Sequence, residues 1–222
     1  MTIVAIIPAR GGSKRFPRKN IYNLKDKPMM AYPIAAATES NLFDNIIVST
    51  EDDEIAKIAN YYGATVINRP VSLAQDRSSV VEVCSDILER NNDIQLLCCI
   101  YATAVLLKPQ TLISGYELLN SDEKIDFVMG VSQYEHPPVQ ALKPDSNGFL
   151  TYMWPEWKGI QSQFYPEQYV SNGTFYWARR DSLIREQTFY GGKMKGWLVP
   201  KEQVSDINSI EDLPEVLRKL DI

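Results

Sequence analysis

The sequence contains very little histidine and cysteine. Its 222 residues include one histidine, His136, and three cysteines, of which Cys98 and Cys99 are adjacent. An odd number of cysteines cannot pair completely, and neighbours on a strand point to opposite faces, so structural disulfides are not expected. No Cys-x-x-Cys spacing occurs, and two prolines follow the histidine. We therefore expect neither a zinc site of histidine and cysteine nor a Ser-His-Asp hydrolase.

The sequence also lacks a long apolar run and an excess of positive charge. Its longest nearly uninterrupted apolar stretch, residues 96–107, has 12 residues, whereas about 18 are needed to cross a bilayer. Residues 1–8 contain neither a basic leader nor a cleavage-site pattern, so we expect no membrane segment and a cytoplasmic protein. The 23 basic and 28 acidic residues give a net charge of −5. This balance argues against nucleic acid as a partner, because such binding needs many cations facing phosphates.

Short β-rich apolar runs do alternate with helical patterns through the first 130 residues. This alternation predicts a single α/β domain over residues 1–222, with a mostly parallel sheet flanked by helices. The predicted strands are residues 3–7, 45–50, 65–68, 96–101, 127–132, 174–178 and 197–200. The predicted helices are residues 29–40, 52–62, 78–90, 109–120 and 209–220, the last with Ser209 as its cap.

Between residues 134 and 171 the helical periodicity is lost. This stretch of 38 residues contains Tyr152, Met153, Trp154 and Trp157. We interpret it as an inserted arm of strands and loops that covers a ligand or a partner subunit. The alternative is that the arm packs on its own sheet.

The turn after the first predicted strand carries an unusual concentration of positive charge. Five cations fall within ten residues, namely Arg10, Lys14, Arg15, Arg18 and Lys19. They would repel one another unless an anion lies among them, and Gly11 and Gly12 allow backbone N–H groups to approach that anion. Because ligands bind at the carboxyl ends of strands in open α/β sheets, we expect a polyphosphate here. The alternative is a solvated basic loop, since neither the Walker nor the G-x-G-x-x-G spacing is present.

Residues 9–20 resemble the nucleotide-binding loop of the cytidylyltransferases that activate nonulosonic acids such as sialic acid, and more distantly of those that activate 3-deoxy-octulosonate. The resemblance continues through residues 27–34, 48–52 and 68–76. Residues 76–79 and 98–104 are most similar to the pseudaminic acid branch, whereas residues 172–176 are closer to the sialic acid pattern. The pseudaminic acid branch typically has His-Asp where Val170-Ser171 stands, and it has arginine where Gln161 stands.

The resemblance implies a nucleotide-diphospho-sugar transferase fold of Rossmann-like type. It implies transfer of CMP from CTP to a nonulosonic acid, and a homodimer whose arm, residues 134–171, crosses to the other subunit. Pseudaminic acid is the first choice of acceptor, with N-acetylneuraminate and legionaminate as alternatives. Another acceptor for the same fold, or a nucleotide-binding module without turnover, also remains open.

The resemblance also implies roles for individual residues. Arg10, Lys19 and Asp206 would be catalytic. The nucleotide would contact Arg10, Gly11, Gly12, Ser13, Lys14, Lys19, Asn20, Arg69, Ser78 and Ser79. The sugar would contact Tyr101, Gln161, Gln163, Tyr169 and Asn172.

A metal site is expected near the end of the chain. Asp206 and Asn208 lie two residues apart, so both side chains would point to one side of an extended segment. Their oxygen atoms suit Mg²⁺ or Mn²⁺. The resembling family usually has aspartate at both positions, so Asn208 keeps an oxygen ligand but removes one negative charge. The alternative is a turn with ordinary helix capping.

Overall fold

The computed structural model describes residues 1–220. Its strands are β1 (Thr2–Pro8), β2 (Asn23–Leu24), β3 (Lys27–Pro28), β4 (Asn45–Thr50), β5 (Thr65–Asn68), β6 (Ile94–Ile100), β7 (Phe127–Gln133), β8 (Leu142–Pro144), β9 (Leu150–Tyr152), β10 (Tyr169–Arg179) and β11 (Met194–Leu198). Its α-helices are α1 (Ala31–Ser40), α2 (Asp53–Tyr61), α3 (Val80–Arg90), α4 (Pro109–Asn120), α5 (Arg180–Glu186) and α6 (Leu213–Leu220). None of them has the length and apolarity of a bilayer-spanning helix.

Seven strands form the central sheet, in the order β11-β7-β10-β6-β1-β4-β5. β1 pairs in parallel with β4 and β6, β4 with β5, and β7 with β11. β10 runs antiparallel between β6 and β7. The predicted α/β fold with a mostly parallel sheet is confirmed.

The core covers both faces of this sheet, as the alternation of side chains along β1 shows. Ile3, Ala5 and Ile7 point into one cluster, and Val4 and Ile6 point into the other. A strand that is buried on both faces has a continuous apolar sequence, which is why this segment shows no polar alternation.

The predicted elements of the first 133 residues are confirmed, with small shifts at their ends. Asp52 caps α2 by accepting from the backbone N–H groups of Glu54 and Ile55, and Ser79 caps α3 in a capping box with Glu82. Each cap therefore precedes its helix instead of belonging to it, and α2 and α3 begin one and two residues after the predicted starts.

The later elements differ more from the prediction. β10 begins at Tyr169 and not at residue 174, because residues 169–171 pair with β7 before a register shift. β11 ends at Leu198, two residues before Pro200, which has no N–H to donate to a ladder. The predicted helix over residues 209–220 is a short 3₁₀ turn, Ile210–Asp212, followed by α6.

Residues 134–168 contain the β8–β9 hairpin, which pairs apart from the central sheet, and three short 3₁₀ turns. Large apolar side chains remain accessible there. Phe149 is 70% exposed, Leu150 66% and Phe164 69%.

Gly115 offers a test of how closely α4 packs on the sheet. Alanine ordinarily favours a helix over glycine by about 1 kcal/mol, but a Cβ here would lie 2.8 Å from Cε2 of the buried Phe175 ring. We therefore expect Gly115→Ala to lower the free energy of unfolding by about 1–3 kcal/mol in urea denaturation. Gly192→Ala, with no atom within 4 Å of the added Cβ, is the control. A Gly115→Ala protein as stable as the unchanged one would contradict this packing.

Candidate active site

The cationic turn lies at the carboxyl end of β1, on the wall of a cavity of about 540 Å³. We call it the basic cavity. It is lined by Pro8, Arg10, Ser13, Lys14, Arg15, Lys19, Asn20, Arg69, Asp76, Ser78, Ser79, Val80, Val83, Tyr101, Ala102, Thr103 and Asn208. All of the predicted nucleotide-binding residues are therefore brought together, except Gly11 and Gly12.

Internal hydrogen bonds shape the turn itself. Glu51 Oε1 accepts from the Gly11 N–H at 2.8 Å, and the Gly11 carbonyl accepts from the Ser13 N–H at 3.1 Å. Asn20, which is buried, donates from Nδ2 to the Arg10 carbonyl at 2.9 Å. Two of the three backbone donors expected for phosphate are thus used within the protein.

Gly11 is required for close packing against the start of α2. A Cβ at this position would lie 2.5 Å from Asp52 Oδ2, closer than non-bonded atoms approach. The glycine was expected to admit an anion, but in the structure it admits a neighbouring carboxylate.

The cations of the turn face different partners. Arg10 and Lys14 both pair with Asp76, which also lines the basic cavity, at 3.0 Å and 2.5 Å. Their hydrogen bonds and charges hold the pKa of the exposed Asp76 carboxyl below its usual value, with Lys14 the larger cause. Arg10 and Lys14 can therefore exchange a carboxylate for phosphate oxygens without leaving the cavity.

Arg18 faces away from that cavity. Its backbone is left-handed, with φ of 57°, and its guanidinium pairs with Asp52 and Glu54 at the start of α2. The hydrogen bond from Arg18 lowers the pKa of Asp52, although burial opposes the shift. Arg18 therefore fastens the turn to α2.

Lys19 joins the turn to the end of the chain. Its Nζ donates to the Ile207 carbonyl at 2.6 Å. Burial lowers the pKa of Lys19, and the charge of Arg15 lowers it further. The Lys19 ammonium is half-buried and close to another cation, so a bound anion would stabilise its charged form.

Arg69 is a buried cation that also lines the basic cavity, and it is only 5% exposed. It donates from Nη2 to the Ser49 carbonyl at 2.6 Å and from Nε to Ser49 Oγ at 3.3 Å. Burial lowers its pKa, and the nearby Glu51 carboxylate opposes this shift. Glu51 Oε2 is buried without a hydrogen-bond partner among the described residues.

The segment that carries Asp206 is fastened on several sides. Ser205 Oγ donates to the Thr103 carbonyl at 2.9 Å, and Lys219 Nζ donates to the Val204 carbonyl at 3.1 Å. Just before it, the buried Gln203 accepts from Thr111 Oγ1 at 2.6 Å. These contacts fix the backbone that leads into Asp206.

Asp206 and Asn208 are neighbours in space, as predicted. Asn208 Nδ2 donates to Asp206 Oδ1 at 2.7 Å, but Asn208 Oδ1 accepts from Arg15 Nη2 at 2.9 Å. Residues 1–220 contain no group of three or more His, Cys, Asp or Glu side chains that could enclose a metal. Asp206 lines not the basic cavity but the cavity beside it. A single carboxylate close to the basic cavity suits Mg²⁺, which usually keeps waters and binds substrate phosphates.

A second cavity of about 500 Å³ adjoins the first and shares Tyr101 and Thr103 with it. We call it the hydroxyl cavity. It is lined by Tyr101, Thr103, Ser132, Val170, Ser171, Asn172, Gly173, Tyr176, Tyr190, Val204, Ser205 and Asp206. Burial raises the pKa values of Tyr101 and Tyr176, so both phenols stay neutral.

Of the predicted sugar-binding residues, only Tyr101 and Asn172 line this cavity. Asn172 Oδ1 accepts from Thr174 Oγ1 at 2.7 Å, so much of its amide is used to shape the wall. Gln161, Gln163 and Tyr169 are exposed and line neither cavity within this chain.

Sequence reasoning did not assign several lining side chains. Ser132, Ser171, Tyr176 and Tyr190 bring hydroxyl groups to the hydroxyl cavity. The position of Ser171 beside Asn172 was an available signal. Tyr190 lies in a loop after α5, and no local pattern marks it.

Comparison with known proteins gives consistent results. Residues 4–195 match the cytidylyltransferase family. The pseudaminic acid cytidylyltransferase of Campylobacter jejuni is 34% identical over 220 residues, covering 96% of this chain and 94% of that protein. The N-acylneuraminate cytidylyltransferase of Escherichia coli is 30% identical over 211 residues, 95% of this chain and 50% of that protein.

The fold also matches solved structures. The structure of CMP:2-keto-3-deoxy-manno-octonic acid synthetase complexed with CTP superposes with a TM-score of 0.76, covering 100% of this chain and 99% of that one. Its sequence identity of 14% makes this a likeness of fold alone.

The lowered pKa of Lys19 generates a test by pH. Anion binding needs the protonated ammonium, so binding of inorganic tripolyphosphate should weaken as the pH rises, and earlier than an ordinary lysine would cause. The Lys19→Arg variant should keep its affinity to higher pH, because a guanidinium stays charged. Titration calorimetry across the alkaline range measures both proteins. Superimposable pH profiles would contradict a role for Lys19 in anion binding.

Proposed function

Because this chain belongs to the cytidylyltransferase family, we propose that it transfers CMP from CTP to the anomeric hydroxyl of a nine-carbon nonulosonic acid. The observation that carries the proposal is the meeting of two unlike cavities. The basic cavity is lined by cations and the hydroxyl cavity by hydroxyl groups, and they share Tyr101 and Thr103. A triphosphate and a polyhydroxylated acceptor can therefore meet end to end.

The reaction forms one bond and breaks another at the α-phosphorus of CTP. The anomeric oxygen attacks that phosphorus, the bond to the leaving pyrophosphate breaks, and the hydroxyl proton is released. Such a transfer depends on alignment of the two oxygens and on neutralisation of phosphate charge. Arg10 and Lys14 would leave Asp76 for phosphate oxygens, and Lys19 would contribute its ammonium from the other side.

The proposed metal ligand is Asp206. When bound, Mg²⁺ or Mn²⁺ would neutralise phosphate charge and lower the pKa of the attacking hydroxyl. Asp206 lines the hydroxyl cavity while its neighbour Asn208 lines the basic cavity, so the carboxylate lies where the two substrates would meet. Its hydrogen bond from Asn208 leaves the second carboxylate oxygen for the metal.

Pseudaminic acid is the first choice of acceptor. The support is the similarity to the Campylobacter jejuni enzyme of that name over nearly the full length of both chains. Val170, Ser171 and Gln161 depart from the pattern of that branch, which keeps N-acetylneuraminate and legionaminate as alternatives.

A homodimer is proposed for the arm, residues 134–171. Met153 remains 42% exposed and Trp154 38% exposed within one chain, beside the more exposed Phe149 and Phe164. An interface would remove these side chains from water, and aromatic residues and Met are enriched at interface centres. In such a dimer the arm would border the partner's hydroxyl cavity, and this would give Gln161 and Gln163 their sugar contacts.

The function is tested by incubating the protein with CTP, Mg²⁺ and one acceptor at a time. Pseudaminic, legionaminic, N-acetylneuraminic and 3-deoxy-octulosonic acids form the panel, and pyrophosphate release is measured together with the mass of the product. We expect a CMP-sugar with pseudaminic acid at the highest kcat/KM. CTP binding without turnover of any acceptor would favour the nucleotide-binding module instead.

The cations of the turn should separate into two classes when they are removed. Arg10→Ala and Lys19→Ala are each expected to lower turnover at least about a hundredfold, the scale lost with one preorganised donor to transition-state charge. Arg18→Ala is the matched control, since its guanidinium is bound at α2. Near-normal rates for Arg10→Ala or Lys19→Ala, with the fold intact by circular dichroism, would reject their phosphate roles.

The dimer is tested by light scattering at micromolar concentration. We expect about twice the chain mass of 25.3 kDa. Leu150→Asp should shift the mass toward the monomer, because a buried unpaired carboxylate destabilises an interface by about 3–5 kcal/mol. Tyr61→Asp, at an 84% exposed position of α2, should not. A monomeric unchanged protein would reject the dimer.

A further inference from the structure

The side-chain amide of Asn208 is held from both ends. Arg15 Nη2 donates to Asn208 Oδ1 at 2.9 Å, and Asn208 Nδ2 donates to Asp206 Oδ1 at 2.7 Å. A guanidinium can only donate and a carboxylate can only accept. The amide oxygen therefore must face Arg15, and the oxygen that a metal would require is already engaged by a cation.

We infer that Asn208 is a positioning residue, which holds Arg15 as a phosphate-binding cation of the basic cavity and leaves Asp206 as the metal ligand. The inference rests on the proposed function, because it concerns how the same site receives CTP. Asn208 acts through its two neighbours and does not itself contact the metal.

Arg15 differs from Arg10 and Lys14 in what its charge faces. Those two cations share the Asp76 carboxylate. Arg15 lines the same cavity and has no carboxylate partner among residues 1–220. A neutral amide fixes the guanidinium without cancelling its charge, so that charge is available for charge-assisted hydrogen bonds to phosphate.

The surroundings of Lys19 support this placement. Lys19 Nζ donates to the carbonyl of Ile207, the residue before Asn208, at 2.6 Å. The charge of Arg15 is one of the causes that lower the pKa of Lys19, because the two cations lie near each other. Arg15 and Lys19 are both held by residues 207–208, and a polyanion bound between the two cations would stabilise both charges.

An aspartate at position 208 would change both contacts. Its carboxylate would pair with Arg15 and cancel much of the guanidinium charge, and it would repel Asp206 in place of donating to it. The amide avoids both effects. Asn208, which stands where the resembling family usually has aspartate, thus has a role of its own. It is a neutral link between the Arg15 guanidinium and the Asp206 carboxylate.

A double-mutant cycle tests the inference on the full chain. The variants are Arg15→Gln, Asn208→Ala and the two combined, with Asn60→Ala on the exposed side of α2 as the control. CTP binding is measured by calorimetry in the presence of chelator, and Mn²⁺ binding without nucleotide by electron paramagnetic resonance. Asn208→Ala keeps the backbone N–H that donates to Asp212 Oδ2 at 2.7 Å, so the cap of the last helical segment is retained.

Each single variant should weaken metal-free CTP binding about tenfold, the value of one hydrogen bond to a charged group. The double variant should bind no more weakly than Arg15→Gln alone, because Asn208 acts through Arg15. Mn²⁺ binding by Asn208→Ala should stay within about twofold of the unchanged protein.

Unchanged CTP binding in either single variant, additive losses in the double variant, or weakened Mn²⁺ binding by Asn208→Ala would each overturn the inference. Additive losses together with weakened Mn²⁺ binding would make Asn208 a direct ligand. Failure of the unchanged protein to bind CTP would reject the proposed function, and the inference with it.

Discussion

Five positive charges within ten residues are the constraint on which this site depends. The fold satisfies them in two ways. Carboxylates on two sides hold Arg10, Lys14 and Arg18. The neutral side-chain oxygen of Asn208 holds Arg15, and the carbonyl oxygen of Ile207 holds Lys19. The turn is therefore stable as it stands, and four of its cations remain on the cavity wall where a polyphosphate can bind them.

The same hydrogen bonds bring residues 207–208 to the cationic turn after β1. Arg15 and Asn208 are 193 residues apart in sequence, and Lys19 and Ile207 are 188 apart. Because β1 lies inside the sheet, between β6 and β4, its carboxyl end is where such distant segments can meet. Asp206, two residues before Asn208, thereby lines the hydroxyl cavity beside the basic cavity, and residues 1–220 form no cage of acidic side chains around it.

Local patterns allowed much of this architecture to be predicted, and long-range contacts limited the rest. The strands β1, β4, β5, β6 and β7 and the helices between them depend on neighbouring residues, and their positions were predicted closely. The two-residue strands β2 and β3 were not predicted. The start of β10 depends on pairing with β7, which no local periodicity reveals. Likewise, Gly11 was read as an opening for phosphate, whereas its approach to Asp52 is a contact 41 residues away that the sequence does not display.

In the proposed reaction, the anomeric oxygen of the acceptor attacks the α-phosphorus of CTP at the junction of the two cavities. The most direct measurement uses a nonulosonic acid labelled with ¹⁸O at the anomeric hydroxyl, with mass spectrometry of both products. We expect the label in the CMP-sugar, in the bond between sugar and phosphorus, and unlabelled pyrophosphate. A CMP-sugar without the label, or label in the pyrophosphate, would contradict it.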